Sequence, residues 1–243
     1  MPNGNRLIIV NKLKIYILAS LALFTIAASG QKLPKHQPKY DYKPIHFGFM
    51  LGINYYDFHV QTIEDLSVIE PGYYSVRTET APGYSIGIIA NLRLSDHFDL
   101  RFIPTFSATE RTLIFDVIEP ITDRRMEVKR DITSSFIDFP LELKWKSERV
   151  KNYRLYVLGG VKYSYDVSSN EDVEDDRVFK IPHNDLAYEF GFGVDIYFEF
   201  FKFSPQIKGS WGFADLIVDD GTYYIQGLHR LESRGVFINF TFE

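Results

Sequence analysis

The stretch from Pro82 to Phe106 constrains the fold most, because it consists of two alternating segments joined by a short polar turn, Ser95-Asp96-His97. Apolar residues occupy every second position of both segments: Tyr84, Ile86, Ile88, Ala90, Leu92, Leu94, Phe98, Leu100, Phe102 and Phe106. Glycine and charged residues share the opposite set, with Ile89 as the exception in the first segment. A period of two indicates strands with two different faces. This pairing of an apolar with a polar face is typical of a transmembrane barrel hairpin.

The same alternation recurs along the chain and predicts eight strands. The other predicted strands are His46 to about Phe58, about Lys129 to Lys146, Tyr153–Tyr165, Leu186–Ile196, Phe203–Phe213 and Val236 to the C-terminus, and the third strand continues to Phe115. An even number of strands, each of about ten residues, suits an outer-membrane barrel. We therefore predict an all-β fold, an eight-stranded antiparallel up-and-down transmembrane β-barrel.

The connections between the predicted strands alternate in length. Short links alternate with four long ones, predicted at 59–81, 116–130, 167–185 and 215–232. Alternation alone is also compatible with a soluble lipocalin-like barrel, since it does not say which face points outward. The loop asymmetry, the aromatic-rich apolar set and the Phe240 and Phe242 pair near the C-terminus favour the membrane barrel.

The N-terminus is typical of a secretory signal peptide. Arg6, Lys12 and Lys14 precede an apolar run from Ile15 to Ala27, which is too short to span a membrane. We predict a signal peptide over residues 1–30, a short flexible periplasmic lead-in over 31–45 and the barrel over 46–243. Export by a cleaved signal peptide to the outer membrane of a Gram-negative cell follows as the predicted localisation, with outer-membrane lipid as the surroundings.

The polar face carries charges of both signs that would point into the barrel. The predicted inward set is Arg93, Asp99, Arg101, Asp138, Glu142, Lys144, Arg154, Lys162, Glu189, Asp195 and Lys208. An eight-stranded barrel is only wide enough for its own side chains, and buried charges must be paired. The sequence therefore predicts an ion-pair network that plugs the lumen, without an open channel.

Composition excludes several kinds of chemistry. The chain of 243 residues has no cysteine and a formal net charge of −5, which argue against thiolate chemistry and against a nucleic-acid surface. The acidic stretch 170–177 does not have the spacing of an EF-hand and is predicted to be a solvated loop without calcium. Asp57 with His59, or Asp219 and Asp220 with His229, could serve a rim-active hydrolase, but no mechanistic motif accompanies them. We expect no catalytic residues, no cofactor, no metal and no small-molecule substrate.

Three blocks of the sequence resemble a known family. HFGFMLGINYYDF, PGYSIGIIANLRLSDHFDLRFIPTFSATER and FIDFPLELKWKSERVKNYRLYVLGGVKYSYD are similar to the PorT family of Bacteroidetes outer-membrane barrels. The resemblance covers the chain from about His46 onward, although the acidic third long loop does not match it. It implies an accessory or assembly component required for type IX protein secretion, with type IX secretion components as partners and no catalytic residues to transfer. The alternative is a generic outer-membrane structural or surface-binding barrel, and a rim-active hydrolase is the third possibility.

Overall fold

The computed structural model describes residues 35–69, 72–119, 124–169, 179–218, 221 and 223–243. The fold reported below is that of His36–Glu243. The predicted signal peptide, the first residues of the predicted lead-in and the acidic stretch 170–177 lie outside the described residues. Within the described ranges, no helix is long and apolar enough to cross a membrane.

Antiparallel β-strands make up most of the described chain. Their bounds are β1 Ile45–Thr62, β2 Tyr73–Thr80, β3 Pro82–Arg93, β4 Phe98–Phe102, β5 Thr105–Glu119, β6 Arg124–Lys146, β7 Tyr153–Asp166, β8 Asn184–Tyr197, β9 Lys202–Gly212 and β10 Leu228–Phe242. Single-turn 3-10 helices lie at Tyr40–Tyr42, Leu66–Val68 and Tyr223–Gly227.

The strands close into one ring. From β1 the ring passes through β10, β9, β8, β7 and β6, then through β4 and β5, and returns through β3 to β1. Only Ala81 separates β2 from β3, and only Ile103 and Pro104 separate β4 from β5, so each of these pairs fills one position. The described strands therefore form the predicted up-and-down barrel, with eight positions around the ring.

Exposure of the side chains follows the predicted period of two. In β8, Tyr188, Phe190 and Phe192 are exposed, whereas Glu189 and Asp195 between and after them are buried. The other strands of the ring repeat this arrangement, with aromatic and aliphatic side chains outside and polar side chains inside. An apolar exterior around a polar interior is the arrangement that a lipid bilayer requires of a barrel.

Ile89, the exception in the alternation, is explained by a break in the neighbouring strand. It is buried inside the barrel, where it packs against Met50 and Ile103. Ile103 and Pro104 interrupt the ladder between β4 and β5, because proline has no N–H group to donate to a neighbouring strand. The Ile103 N–H instead donates to the Pro140 carbonyl at 3.3 Å. A small apolar cluster therefore lies within a lumen that also holds many polar and charged side chains.

Three of the predicted long connections are wrong in extent. The predicted loop 215–232 contains the start of β10, which begins at Leu228 and not at Val236. The predicted loop 59–81 contains the end of β1 and all of β2, and the predicted loop 116–130 consists mostly of β5 and β6. Strands β2, β5 and β6 thus extend the sheet past the apolar exterior. We call this side of the barrel the loop end, and we call the side where β1 begins and β10 ends the terminal end.

Cross-strand ion pairs on the outer face of this extension explain why it is sheet and not loop. Arg125 donates to Asp116 at 2.7 Å, and this hydrogen bond holds the pKa of the Asp116 carboxyl below its usual range. Arg77 lies 2.8 Å from Glu127 across β2, β5 and β6. Pairs of opposite charge on neighbouring strands stabilise a sheet by small amounts each.

The inner face of the extension belongs to an apolar core at the loop end. Its buried members are Phe58, Ile69, Tyr73, Leu113, Phe115, Val117, Ile132, Phe179, Ile181, Leu216, Leu228 and Leu231. They come from β1, β2, β5, β6 and β10 and from the connections that follow β1, β7 and β9. The loop end is therefore packed as a small globular core above the polar lumen.

Candidate functional site

The centre of the lumen is organised around one lysine. Lys208 on β9 places Nζ 2.8 Å from a carboxylate oxygen of Glu142 on β6 and 2.8 Å from one of Glu189 on β8. Lys162 on β7 approaches Glu189 at 3.7 Å. None of these four side chains is more than 6% exposed. The Lys208–Glu142 contact thus joins β9 to β6, with β8 and β7 between them in the wall, through a charge-assisted hydrogen bond, which is stronger than a neutral one.

A second group of ion pairs lies towards the terminal end. Lys144 on β6 donates to both carboxylate oxygens of Asp195 on β8, at 2.7 and 3.0 Å, and Ser204 donates to the same carboxylate at 2.6 Å. Lys146 pairs with Asp99 at 2.6 Å. Each charge in this group therefore has a partner of opposite sign, as burial requires.

Glu243, which follows β10, completes this group. Its carboxylate accepts from Arg101 on β4 at 3.4 Å and from Lys202 on β9 at 2.9 Å. The Arg101 and Glu243 side chains are fully buried. The end of β10 is therefore tied to two strands through ionic contacts inside the barrel.

Asp138 is the acceptor for a third group, nearer the loop end. It accepts hydrogen bonds from Tyr56 at 3.2 Å, from Ser107 at 2.8 Å and from Ser164 at 2.5 Å. The Tyr56 hydroxyl in turn accepts from Lys162 at 3.0 Å. This network connects β1, β5, β6 and β7 and continues into the Lys208 group through Lys162.

The space that remains inside is small. The interior space bordered by Asp138, Lys162, Glu189, Lys208 and their neighbours has a volume of about 10 Å³. A cavity needs at least roughly that volume to hold one water molecule. The side chains that border this space therefore leave room for at most about one water molecule there.

Nine of the eleven residues predicted for the lumen network are buried in the barrel: Asp99, Arg101, Asp138, Glu142, Lys144, Lys162, Glu189, Asp195 and Lys208. The other two lie at the terminal end. Arg93 pairs with the exposed Asp96 of the β3–β4 turn, and Arg154 pairs with Asp41 at 3.2 Å. Both positions continue the inward set of their strands. Arg93 is the last residue of β3 and Arg154 is the second residue of β7, so both lie at the edge of the barrel.

The predicted list omits several members of the network. Lys146, Lys202 and Glu243 are buried and paired, and Tyr56 and Tyr156 contribute hydroxyls. The alternation could have indicated Lys146, Lys202 and Glu243, because each lies two residues from another member of the polar set of its strand. Tyr56 and Tyr156 also occupy the polar set, two residues after Asn54 and Arg154, but a tyrosine does not by its residue type show that its side chain points inward.

Residues before β1 close the terminal end. Asp41 accepts from Arg149 at 3.3 Å, from Arg154 at 3.2 Å and from the Tyr197 hydroxyl at 2.9 Å. Tyr40 donates to Glu243 at 3.1 Å, and burial together with that carboxylate raises the pKa of the Tyr40 hydroxyl. The sequence predicts no such contacts for the lead-in, which packs across the mouth of the barrel from His36 onward.

The loop end is closed by the apolar core, and Arg111 marks the boundary with the lumen. This fully buried arginine donates to Ser134 at 2.8 Å and lies 4.0 Å from the Phe58 ring centroid. Its Nε and Nη1 atoms have no hydrogen-bond partner among the described residues. The cation is therefore held mainly by aromatic faces, which attract cations electrostatically.

The residues considered for hydrolysis are not brought together by a described contact. Asp57 accepts the backbone N–H of Phe58 at 2.8 Å, and His59 lies opposite Glu232 in the β1–β10 ladder. Asp219 and Asp220 lie outside the described residues. In the ranges that the structure describes, no group of three or more histidine, aspartate and glutamate side chains could hold a metal ion.

A closed antiparallel barrel with an apolar exterior and an ion-paired interior defines the class of small outer-membrane β-barrels. The model of the family described as "Outer membrane protein beta-barrel domain" matches residues 30–218, and the chain belongs to this family. The protein is therefore an outer-membrane barrel surrounded by lipid.

Several solved structures are similar to this chain, and no curated protein sequence matches it. The N-terminal β-barrel domain of Pseudomonas aeruginosa OprF is 13% identical, with 79% of this chain and 97% of that chain covered and a TM-score of 0.33. Neisserial surface protein A is 8% identical (82% and 98% covered, TM-score 0.44), and Pseudomonas aeruginosa OprG is 12% identical (82% and 93% covered, TM-score 0.43). No functional conclusion follows from these values.

Proposed function

We propose that this protein is a closed, non-catalytic barrel with a structural or surface-binding role in the outer membrane. The observation that carries the proposal is the contact of Lys208 with both Glu142 and Glu189, which fixes three strands across the lumen. Opening a pore would require these charges to separate inside the barrel, and a buried charge without its partner costs about 3–5 kcal/mol.

Conductance of the purified protein in a planar lipid bilayer tests the closed lumen. We expect no stable single-channel steps for the wild-type protein, while an open porin in the same bilayer provides the positive control. A reproducible ohmic conductance from the wild-type barrel would contradict the proposal.

Surface binding would use the loop end, which outer-membrane barrels turn towards the cell exterior. Its core holds the extension of β2, β5 and β6 in place, and the extension presents Tyr74 with Arg125 stacked 4.0 Å from the ring centroid. A ligand that cross-links to the loop end of the wild-type protein should no longer cross-link to a Tyr74→Ser/Arg125→Gln variant. Unchanged cross-linking in that variant would place binding elsewhere.

A role in type IX secretion is the second candidate, and the sequence blocks that resemble the PorT family favour it. A closed barrel of this width cannot be the conduit for a folded cargo protein, so the role would be that of an accessory, a scaffold or an assembly factor. Contact with the secretion machinery would use the outward aromatic side chains, the loop end or the lysines of the lead-in.

Deletion of the gene in its host tests the secretion role. Cargo retained in the periplasm, with other envelope proteins normal and export restored by complementation, would support it. Unchanged export would remove this candidate and leave the structural or surface-binding role.

Export itself is proposed to use the signal peptide at residues 1–30. The mass of the protein purified from outer membranes should correspond to a chain that begins near Gln31. A mass that includes the first 30 residues would show that the segment is retained.

A further inference from the structure

A groove interrupts the lipid-facing surface near the terminal end. It has a volume of about 320 Å³, and its walls include Ile45 and Phe47 of β1 and Phe102 of β4. All but one of its lining residues are apolar, and they come from β1, β3, β4 and β6. The exception, Asn91, is buried, and its Nδ2 has no hydrogen-bond partner among the described residues.

The register of the sheet explains why the groove exists at this position. Phe47, Ala90, Phe102 and Leu141 lie directly opposite one another in four neighbouring strands. Ala90 is the small residue in this row, and the flanking Phe47 and Phe102 are 71% and 40% exposed. The alanine therefore forms the floor of a depression between two aromatic walls. Such a depression in the hydrocarbon layer suits an apolar chain.

Cationic groups lie at the terminal end of the groove. Arg93, the last residue of β3, continues the inward set of that strand, but its guanidinium carbon lies 5.8 Å from the ring centroid of Tyr42, whose side chain is exposed. Lys43 is exposed and precedes β1 by two residues. Arg93 also donates to Asp96, whose side chain is 82% exposed. Because this carboxylate is already in water, it can turn away from Arg93 without a cost of desolvation.

We propose that the groove is a binding site for one anionic glycerophospholipid, with an acyl chain across Ala90 and the phosphate on Arg93. Arginine presents a planar fork of donors that matches phosphate oxygens, and basic residues beside an apolar groove attract anionic lipid head groups. Outer-membrane barrels place their short turns on the periplasmic side. The lipid therefore comes from the periplasmic leaflet of the membrane.

Native mass spectrometry of the purified full chain in detergent, titrated with phosphatidylglycerol or phosphatidylcholine, tests the site. We expect one phosphatidylglycerol to remain bound to the wild-type protein. Ala90→Phe fills the groove and should weaken binding about tenfold, a loss of roughly 1.4 kcal/mol, and the smaller change Ala90→Leu should act in the same direction. Val236→Phe places a phenylalanine at another exposed position and should change nothing.

Variants of the charged groups separate head-group recognition from acyl-chain burial. Arg93→Gln should lower the preference for phosphatidylglycerol over phosphatidylcholine about fivefold, as expected for about 1 kcal/mol per basic residue at a lipid surface. Asp96→Asn removes the competing carboxylate and should raise the affinity for phosphatidylglycerol. Thermal unfolding confirms that each variant is folded.

Two results would overturn the proposal. One is equal retention of phosphatidylglycerol by the wild type, Ala90→Phe and Ala90→Leu. The other is equal binding of both lipids by the wild type, which would indicate lipid held around the whole barrel and not at this groove.

Discussion

Lys144 donates to both carboxylate oxygens of Asp195, at 2.7 and 3.0 Å, although each side chain is only 1% exposed. The pair joins β6 to β8 inside the barrel, past β7, which lies between them in the wall. A fully buried pair of this kind stabilises the fold only while both members are present, because the desolvation of each charge is offset by the other.

Removing one member of this pair should be strongly destabilising. Lys144→Ala leaves the Asp195 carboxylate buried without its cation, and we expect a loss of about 3–5 kcal/mol in the free energy of unfolding. Urea titration in lipid vesicles, followed by tryptophan fluorescence, measures this loss. Arg77→Gln breaks an ion pair whose members are about half exposed and should cost less than about 1 kcal/mol.

A double variant distinguishes an unpaired charge from a general packing defect. Lys144→Met combined with Asp195→Leu replaces the pair by apolar side chains of similar size, and it should recover most of the lost stability. A double variant as unstable as Lys144→Ala would contradict this explanation.

A side chain at Gly193 should collide with Tyr156 inside the barrel. A Cβ atom there would lie 2.5 Å from Tyr156 Cζ, and the Tyr156 hydroxyl is already fixed by Gln206 at 3.0 Å. Overpacking costs typically about 1–3 kcal/mol, and we expect this loss for Gly193→Ala in the same urea titration. Gly159→Ala is the matched control, because the nearest atoms to its added Cβ lie at 3.8 Å. A shorter residue at position 156 should relieve only part of the effect, because the added Cβ would also lie 2.6 Å from the Pro205 carbonyl oxygen.

We expect the loop-end core to unfold while the barrel stays folded. Phe115 is fully buried and contacts the rings of Tyr73, Phe179 and Tyr224. Truncation of a buried phenylalanine costs about 3–5 kcal/mol, so Phe115→Ala should open the extension to proteolysis while a protected barrel fragment remains. Met126→Ala, at a 43% exposed side chain, is the control. Complete digestion of the barrel together with the loop end would show that the two form one cooperative unit.

The attachment of the lead-in should depend on Asp41. Its carboxylate accepts from Arg149, Arg154 and Tyr197, and Asp41→Ala removes all three contacts. We expect faster trypsin cleavage after Lys39 in the folded protein, measured by mass spectrometry of the released peptides. Asp96→Asn, at an exposed carboxylate in a turn, should leave the cleavage rate unchanged. Equal rates in Asp41→Ala and the wild type would show that the lead-in is held by other contacts.

The sequence predicts the barrel well because its alternation records which side of each strand meets lipid. Tyr188 and Glu189 differ in exposure for that reason, and nine lumen residues could be named from their spacing alone. The sequence does not show at which residues the alternating strands leave the membrane. The charges of Asp116 and Arg125 look like those of a loop until the register pairs them across a hairpin.

The contacts that close the two ends could not be predicted, since they join residues far apart in the chain. Asp41 and Tyr197 are 156 residues apart, and neither has a local pattern that points to the other. Phe115 and Phe179 likewise look like ordinary strand and loop residues until the fold places them together. The lipid groove depends on a single alanine in a row of large side chains, which becomes visible only with the register.

The packing of the lead-in also has a mechanical consequence. His36 donates its backbone N–H to Asn152 in the β6–β7 turn at 2.9 Å, and its ring nitrogen contacts the Tyr197 carbonyl at the end of β8 at 2.9 Å. Tension applied to the chain before His36 would therefore be shared among two turns and the end of β10 before it reached β1. Strand β1 is shielded from being peeled out of the barrel by a pull on the chain that precedes it.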